Sequence, residues 1–359
     1  MDLALAQARN ALFTATPNPR VGCVIVRDDR VIGEGWTQAY GGPHAEQHAL
    51  AACTGDPAGA TAYVTLEPCN HVGPSGRSES CVESLLRARL GHVVVAVLDP
   101  SPAMSGKSIE MLRAAGIAVE SGVCEEAARE MNLGFFSRMT RGRPWVRVKM
   151  AASLDGRTAL ANGQSQWITG PEARADGHAW RARACAVMTG IGTVLQDDPQ
   201  LTVRDVATPR QPQRIVVDRH AQTPRTARIL RGDPVWIFTA KSSVPAFPAN
   251  VEEIRMPDGN DRVDLEAMMN ELGRRRVNEL HVEAGARLSG TLIEHGLVDE
   301  LLLYFAPCLL GDTARGMFSL GSIQALANRF EVDIKDWTKV GEDWRIMARV
   351  KSQCNLPAD

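Results

Sequence analysis

Three residues of types that bind zinc lie close together in the first quarter of the chain, with a glutamate beside them. His44 and Glu46 are two positions apart in "GGPHAEQHAL", and Cys69 and Cys81 follow in "TLEPCNHVGPSGRSESC". Catalytic zinc takes three protein ligands and keeps its fourth position for water, so His44, Cys69 and Cys81 form a suitable ligand set. Glu46 is too near His44 to be a convenient fourth ligand, but it can reach that water and pass its proton to a leaving amine.

The predicted elements around these residues favour a metal site. The plain alternative is that "HAE" is only the polar start of an amphipathic helix. "HAEQHALAAC" is helical in pattern, and Cys69 follows a proline at the end of the predicted strand "ATAYVTLE". Cys81 lies in the first turn of the predicted helix "ESCVESLLRARL", where the positive helix end favours a thiolate. The spacing departs from the zinc-deaminase signature H-x-E followed by P-C-x-x-C, because eleven residues separate Cys69 from Cys81.

The first half of the chain alternates strands and helices. A hairpin over residues 21–36 is predicted from β-branched residues around an Asp-Asp turn. "HVVVAVLDP" is the continuous apolar run that is typical of a strand buried in a mainly parallel sheet. Helices are predicted over "SIEMLRAAG" and over residues 124–139, with a strand "IAVESGV" between them. The basic Gly/Pro break "TRGRP" predicts a domain boundary near Arg143, which gives domains 1–143 and 144–359.

The second half begins a new α/β pattern and does not repeat the first. Helices are predicted over residues 171–185, 265–276 and 287–295, and the predicted strands are "WVRVKMAASLDGR", "AVMTGIG", "RIVVD", "VWIFTA", "ELHVEAG" and "ELLLYFAP". Several βα units favour a second α/β sheet. "VEAGARLSGTLIEHG" and "MTGIGTVLQDDP" carry glycine turns that can bring backbone amides to a pyrophosphate. There is no G-x-G-x-x-G, which argues against a standard Rossmann fold.

Composition indicates a globular protein without a strong charge bias. Of 359 residues, 44% are hydrophobic and 23% are charged, and the formal net charge of −2 gives no general attraction to nucleic acid or to an anionic membrane. No apolar run reaches the roughly 18 residues of a membrane span, and the first residues do not resemble a signal peptide. The eight cysteines lack the dense spacing of a disulfide scaffold. These features predict a cytoplasmic protein in which Cys53, Cys124, Cys185 and Cys308 are small core residues.

Several motifs together resemble one family, the bacterial bifunctional riboflavin-biosynthesis proteins RibD, in which a pyrimidine deaminase is fused to a reductase. They are "TPNPRVGCVIV", "GGPHAEQHAL", "YVTLEPCNHVG", "VKMAASLDGRTAL", "SQWITG", "DDPQLTVR", "VEAG" and "VDELLLYFAP", and they extend over nearly the whole chain. The resemblance implies an N-terminal cytidine-deaminase-like α/β/α sandwich with Zn2+ and a C-terminal dihydrofolate-reductase-like α/β domain with NADPH. The chain departs from the family between Cys69 and Cys81, where the family's loop usually ends "GRTPPC". Here "GPSGRSESC" is longer and lacks the two prolines.

The resemblance also implies substrate contacts. Asn18 and His71 are expected to meet the pyrimidine or the ribose, and Lys107 a phosphate. From the residues alone, Asn18 between two prolines could otherwise be a turn former, and Lys107 could be an exposed loop lysine. In the second domain the implied substrate residues are Ser165, Arg181, Leu201, Arg204 and Glu283. Arginines can hold a ribose phosphate in a bidentate grip, although either arginine alone could be a solvated surface charge.

The implied cofactor residues lie in the second domain. NADPH is expected at Ala151, Trp167, Thr193, Asp197, Gly285, Ala286, Arg287, Leu288, Ser289, Gly290 and Thr291. Lys149, at a strand end, is placed to polarise the open-chain ribose or its imine as hydride arrives. Arg219 follows the strand "RIVVD", where a cation could meet the 2′-phosphate of NADPH.

The expected function is therefore hydrolytic deamination of 2,5-diamino-6-(5-phosphoribosylamino)pyrimidin-4(3H)-one, followed by NADPH-dependent reduction to 5-amino-6-(5-phosphoribitylamino)uracil. A homo-oligomer, a dimer or a tetramer, is expected from the family. Two alternatives stay open at this stage. One is a related enzyme that uses the same pyrimidine in a secondary pathway toward an azapteridine, for which the altered loop is the only hint. The other is a non-catalytic protein with a structural zinc.

Overall fold

The computed structural model describes residues 1–71, 79–102, 104–242 and 246–351. Two compact units, Met1–Gly142 and Arg143–Asp359, divide the chain, and each has its own hydrophobic core. Within the described residues, none of the helices combines the length and the apolar character that crossing a bilayer requires. The departing loop "GPSGRSESC" falls largely on residues 72–78, which lie outside the described residues.

The first unit is a five-stranded mixed sheet with helices packed on it. Its strands are β1 (Gly22–Arg27), β2 (Arg30–Trp36), β3 (Thr61–Val64), β4 (His92–Val95) and β5 (Ala118–Ser121), in the spatial order β2-β1-β3-β4-β5. β1 runs antiparallel to both β2 and β3, whereas β3, β4 and β5 are parallel. The predicted hairpin is confirmed, and its two-residue turn places Asp28 and Asp29 at φ 50° and 59°, as the tight turns that join twisted strands require.

Helices of the first unit are α1 (Asp2–Arg9), α2 (Ala45–Ala51), α3 (Cys81–Arg87), α4 (Lys107–Ala114), α5 (Glu125–Met131) and α6 (Leu133–Arg141). α2 approaches β2 so closely that a Cβ atom on Gly35 would lie 2.3 Å from the backbone nitrogen of Ala49. A glycine is therefore required at this point of the strand. The close packing fixes α2, whose first turn carries Glu46, against the sheet.

The single helix predicted over residues 124–139 is wrong, because the chain breaks at Asn132. The side-chain amide of Asn132 donates to the carbonyl oxygen of Arg20, and its Oδ1 accepts from the Arg20 backbone N–H, at 2.9 and 2.8 Å. Asn132 is buried. Such side-chain bonds compete with the helical pattern of the backbone, so α5 ends before Asn132 and α6 begins after it.

The second unit contains a nine-stranded sheet. In chain order its strands are β6 (Trp145–Ser153), β8 (Ala186–Gly190), β9 (Gln213–Val217), β10 (Val235–Thr239), β11 (Val251–Arg255), β12 (Glu279–Val282), β13 (Glu300–Ala306), β15 (Val332–Val340) and β16 (Asp343–Val350). The spatial order is β11-β10-β9-β8-β12-β6-β13-β16-β15, parallel from β11 to β13 and antiparallel beyond it. A separate pair joins β7 (Arg157–Ala159) to β14 (Arg315–Gly316). The helices are α7 (Pro171–Arg183), α8 (Ile191–Asp197), α9 (Leu265–Arg274) and α10 (Ala286–Glu294).

Sequence analysis missed α8, β11 and the hairpin of β15 and β16. The side chains of β15 are mostly exposed on both faces, so this edge strand lacks the alternation of buried and exposed residues that predicts strands. The prediction that four cysteines are core residues is wrong for two of them, because Cys124 and Cys308 are exposed.

Candidate active sites

The first candidate site lies where two helix starts and one strand end meet in the first unit. His44 is the N-cap residue of α2, Glu46 is in the first turn of the same helix, and Cys81 is the first residue of α3. Cys69 follows β3 after four residues that belong to no helix or strand. Because helix starts and strand exits are fixed by backbone hydrogen bonds, these four side chains are presented by rigid structure.

The geometry of His44, Cys69 and Cys81 fits a zinc ion. The Nδ1 atom of His44 lies 3.6 Å from the Cys69 sulfur and 3.4 Å from the Cys81 sulfur. A tetrahedral zinc with ordinary Zn–N and Zn–S bonds requires N···S separations of about 3.6 Å. The three ligand atoms all lie within 4.8 Å of one another. The donor set and its spacing are thus those of a zinc site with an open fourth position.

Hydrogen bonds hold Cys81 in place. Ser80 caps α3: its Oγ accepts from the Glu83 backbone N–H at 3.2 Å, and its own N–H donates to Glu83 Oε2 at 2.7 Å. Gln47 of α2 donates from Nε2 to the carbonyl oxygen of Glu79 at 3.3 Å. The two helices that carry His44 and Cys81 are therefore tied together near the ligands.

The surroundings of the site shift the pKa values of the Cys69 thiol and the Glu46 carboxyl. A hydrogen bond with Cys81 lowers the pKa of the Cys69 thiol to about 3, with His44 contributing in the same direction. A lowered thiol pKa favours metal binding, because thiolates are the ligands. Glu46 is 3% exposed. Burial raises the pKa of its carboxyl, and the neighbouring Cys69 raises it further.

Three predicted substrate residues of the first unit lie outside this cluster. Asn18 is partly buried, and its backbone N–H donates to Ala15. His71 is exposed two positions after Cys69, and Lys107 is exposed as the first residue of α4. Their roles stay predictions.

Sequence analysis missed Glu67, a buried residue two positions before Cys69. Its buried carboxylate accepts backbone N–H bonds from Asp99, Gly106 and Ser108 at 3.1, 2.9 and 3.0 Å. The end of β3, which leads into Cys69, is thereby tied to the start of α4, which carries Lys107. A glutamate in the strand exit "TLEPC" is the signal that could have revealed it, because a carboxylate there must find partners when it is buried.

The second candidate site is a cavity of about 1470 Å³ in the second unit. It lies along the carboxyl ends of β6, β8, β9 and β12, where parallel α/β sheets bind ligands. Many residues predicted for substrate and cofactor line it: Lys149, Ala151, Ser165, Thr193, Asp197, Arg219, Glu283, Gly285, Ala286, Arg287, Leu288 and Thr291.

Glu283 is the electrostatic centre of this cavity. Its carboxylate accepts from Arg181 Nε at 2.7 Å and lies 3.9 Å from Lys149 Nζ. Burial raises the pKa of the Glu283 carboxyl, but Arg181, Lys149 and His281 lower it by more, so the carboxylate stays ionised. Burial lowers the pKa of the Lys149 ammonium, and Glu283 partly opposes that change. An ammonium with a lowered pKa is a better proton donor near neutral pH.

The other predicted residues of the second domain do not line the cavity. Arg181 reaches it only through Glu283, Trp167 is 70% exposed with Arg174 stacked on its ring, and Leu201 is buried. The backbone N–H of Arg204 donates to His178, while its side chain is exposed. Ser289 and Gly290 lie on the packed face of α10. The Ser289 hydroxyl donates to Ala284, and a Cβ on Gly290 would meet the Ser319 carbonyl oxygen at 2.1 Å.

The cavity also contains residues that sequence analysis missed, namely Thr158, Gln196, Arg262, Arg315, Phe318 and Ser319. Thr158 and Gln196 lie within quoted motifs but were not singled out. The other four come from segments without a recognisable motif and reach the cavity only through the fold. With them, the cavity fits a dinucleotide. It is larger than the 300–1,000 Å³ usual for small ligands, it contains the free N–H groups at the start of α10, and nothing lies within 4 Å of a Cβ on Gly285. A pyrophosphate can therefore approach the backbone there.

Comparison with known proteins shows the same two-part organisation. Residues 1–97 match the cytidine and deoxycytidylate deaminase zinc-binding region, and residues 144–346 match the RibD C-terminal domain. The riboflavin biosynthesis protein RibD of Escherichia coli is 42% identical over 356 residues, which cover 96% of each chain. That of Haemophilus influenzae is 42% identical over 360 residues, which cover 96% of this chain and 95% of the other.

Solved structures agree over the full length. Acinetobacter baumannii RibD superposes with a TM-score of 0.91 at 40% identity and covers 98% of each chain. A diaminohydroxyphosphoribosylaminopyrimidine deaminase/5-amino-6-(5-phosphoribosylamino)uracil reductase from Thermotoga maritima gives 0.88 at 31% identity and covers 98% of this chain and 97% of the other. The predicted fold class is confirmed: a deaminase-like α/β domain is followed by a reductase α/β domain.

Proposed function

The chain belongs to the RibD family of bifunctional riboflavin-biosynthesis proteins, and from this membership we propose how its residues divide two reactions. Residues 1–143 form the zinc-dependent deaminase, and residues 144–359 form the NADPH-dependent reductase. The first releases ammonia from 2,5-diamino-6-(5-phosphoribosylamino)pyrimidin-4(3H)-one. The second reduces the ribosyl group to give 5-amino-6-(5-phosphoribitylamino)uracil. The single observation that carries the first activity is the convergence of His44, Cys69 and Cys81 beside the buried Glu46.

In the deaminase, His44, Cys69 and Cys81 hold the zinc, which when bound supplies the Lewis acidity that activates water. Glu46 takes a proton from the attacking water and delivers it to the leaving amino group, so water and the amine become a carbonyl and ammonia. Its burial excludes competing solvent from this transfer. Asn18 and His71 orient the pyrimidine or ribose, and Lys107 contacts the phosphate.

In the reductase, NADPH supplies the hydride, and the residues of the cavity orient the sugar. Lys149 lies beside the Glu283 carboxylate, where it polarises the open-chain ribose or its imine and supplies a proton as C1′ is reduced. Glu283 accepts hydrogen bonds from the substrate and is held by Arg181. Ser165, Leu201 and Arg204 complete the substrate site.

NADPH contacts are proposed for Ala151, Thr193, Asp197, the segment from Gly285 to Leu288 and Thr291, which line the cavity, and for Trp167 on the basis of the resemblance. The amides at the start of α10 receive the pyrophosphate. We further propose a cytoplasmic homo-oligomer, on the basis of the family.

Mass spectrometry of the products tests the whole proposal. Purified protein is incubated with the diaminopyrimidine, with and without NADPH. Without NADPH, the expected product has exchanged one amino group for oxygen. With NADPH, the product has also gained two hydrogens. Unchanged substrate under both conditions, with zinc bound, would overturn the proposal.

A further inference from the structure

A tight loop over residues 257–263 projects one arginine toward the cavity. Pro257 pairs with Val263 as an isolated antiparallel bridge. The Asp258 N–H donates to the Arg262 carbonyl oxygen at 2.7 Å, and Asp258 Oδ1 accepts from the backbone N–H groups of Asn260 and Arg262. These bonds close the loop on itself. Arg262 therefore extends from a fixed backbone although its side chain is exposed.

Arg219 stabilises this loop instead of projecting freely. Its Nε donates to the carbonyl oxygen of Asp261 at 2.8 Å, and a terminal nitrogen donates to that of Asn260 at 3.4 Å. A guanidinium with two of its donor groups committed to backbone carbonyls has fewer left for a ligand. Arg219 also lines the cavity, but its hydrogen bonds support the loop that carries Arg262.

The Arg262 guanidinium is available to a ligand. Across the described ranges of the chain, it forms no hydrogen bond and no ion pair, whereas its backbone is fully used. Two carboxylates lie nearby and both are engaged: Asp258 binds backbone amides, and Asp261 lies 3.6 Å from Lys241 Nζ. The cluster of Arg219, Arg262 and Lys241 with these two acids carries one net positive charge, which favours an anion.

The position of this cluster follows from the strand order. Lys149 lies in the middle of β6 and not at a strand end as predicted. Because Val148 pairs with Val282, the last residue of β12, Lys149 is level with Glu283. α10 starts after β12, and Arg219 follows β9. These strands lie in the order β9-β8-β12-β6. Three strand spacings, about 14 Å, therefore separate Lys149 on β6 from the end of β9. A dinucleotide with its nicotinamide at Lys149 and its pyrophosphate at α10 extends its adenosine half toward β9.

We propose that Arg262 is the residue that distinguishes NADPH from NADH, by binding the 2′-phosphate of the adenosine ribose, and that Arg219 is a positioning residue that holds the Arg262 loop. The proposal rests on the assignment of the second domain as an NADPH-dependent reductase. It goes beyond that assignment by moving the phosphate contact from Arg219 to a residue that no motif indicates. Arginine suits this role because its planar donors match a phosphate dianion.

Equilibrium binding tests the proposal without turnover. Dissociation constants of NADPH, NADH, adenosine 2′,5′-bisphosphate and 5′-AMP are measured by calorimetry for the wild type, R262Q and the matched control R274Q. Arg274 is an exposed arginine of α9 outside the cavity. R262Q is expected to weaken NADPH and the bisphosphate about tenfold, as loss of a charge-assisted bond predicts. NADH and 5′-AMP should change less than about twofold, and R274Q should match the wild type.

The role of Arg219 has its own measurement. In R219Q, hydrogen exchange at the amides of Asn260 and Arg262 is expected to accelerate and NADPH discrimination to fall, and R219K should restore part of both because lysine can still donate to one carbonyl. R262Q should lose discrimination with no change in exchange. This difference separates a contact residue from the residue that positions it.

The results distinguish a failure of the reductase assignment from a failure of the Arg262 assignment. If the wild type binds neither NADPH nor NADH, the proposed reductase and this inference both fail. If the wild type prefers NADPH but R262Q keeps the same preference, only the assignment of Arg262 fails. A loss of discrimination in R219Q with unchanged loop exchange would return the phosphate contact to Arg219.

Discussion

Arg181 donates from Nε to Glu283 Oε1 at 2.7 Å, and its other arm donates to the carbonyl oxygen of Thr202 at 2.6 Å. The arginine on α7 thus holds a carboxylate that follows β12, while Lys149 lies on the far side of that carboxylate at 3.9 Å. Both side chains of the Arg181–Glu283 pair are largely buried. A paired charge in such surroundings is costly to disrupt, because the remaining partner stays buried without compensation.

Glu283→Gln is expected to disable the reductase and spare the deaminase. The neutral amide cannot compensate the positive charges of Arg181 and Lys149. The kcat/KM of NADPH oxidation with deaminated substrate should therefore fall about 100-fold. The free energy of unfolding of the second unit should fall by about 3 kcal/mol. Ammonia release should be unchanged. The matched control is Glu266→Gln, at an exposed position of α9. Normal NADPH oxidation by E283Q would contradict the role assigned to Glu283.

Removal of zinc should disable the deaminase and leave the reductase active. Wild-type protein is expected to contain about one zinc per chain by elemental analysis, as a single three-ligand site requires. Cys81→Ser should reduce the zinc content and abolish ammonia release while NADPH oxidation continues. Cys124→Ser changes an exposed cysteine outside the ligand cluster and should keep both zinc and activity. Ammonia release by zinc-free protein would refute metal-dependent deamination.

Glu46→Gln tests proton transfer while the three zinc ligands stay in place. The amide is nearly isosteric and keeps the start of α2 intact, but it cannot accept and return a proton, so ammonia release should fall by at least about 100-fold. Zinc content and NADPH oxidation should stay at wild-type levels. Glu110→Gln, at an exposed position of α4, serves as the control. Full ammonia production by E46Q would exclude Glu46 as the proton carrier.

Sequence reasoning predicted the first site well because local elements determine its geometry. A histidine at a helix start, a cysteine after a strand and a cysteine at the next helix start each follow from nearby residues. Patterning cannot place these elements side by side. The need of catalytic zinc for three ligands of these types supplied that step, and the 3.4–3.6 Å separations of His44 from the two sulfurs support it.

The strand β6 of the reductase was predicted, but the burial of a charged side chain within it was not. Arg147, the third residue of β6, is 1% exposed and donates to Glu300 and Glu279 at 2.8 and 3.2 Å. A strand with a buried arginine looks half exposed in a hydrophobicity pattern. Arg262 was missed for a related reason: only the parallel strand order brings its loop to the cavity.

The buried His281 predicts a dependence of stability on pH. It is fully buried on β12, and burial lowers its pKa to about 3, with Glu283 opposing and Arg147, Arg181 and Lys149 adding to the shift. An unfolded histidine titrates near pH 6.5, so below that pH the unfolded chain binds a proton that the folded chain does not. Stability from this residue is therefore complete above about pH 6.5 and is lost as the pH falls toward 3. Between pH 7 and 5 the loss is about 2 kcal/mol.

Urea unfolding at pH 7 and pH 5 measures this loss, and His281→Leu should reduce it by most of that amount. Neither ring nitrogen has a hydrogen-bond partner within the described part of the chain, although Nε2 lies 3.6 Å from Glu283 Oε1. An apolar side chain therefore removes no hydrogen bond. His220→Leu, at an exposed position, is the matched deletion of an imidazole. An equal pH dependence in wild type and H281L would show that His281 is not the group responsible.

Gly290 lies on α10 at a position where either close packing or contact with the cofactor could require a glycine. The resemblance places Gly290 among the NADPH residues, yet a Cβ there would lie 2.1 Å from the Ser319 carbonyl oxygen. Gly290→Ala must push α10 away from this segment and should lower the unfolding free energy of the second unit by about 1–3 kcal/mol. The same change at Gly192 in α8, where nothing lies within 4 Å, should raise it by about 0.5–1 kcal/mol because alanine favours the helix. Thermal unfolding without cofactor measures both changes. An unchanged melting temperature in G290A would contradict the close contact between α10 and Ser319 as the reason for a glycine at this position.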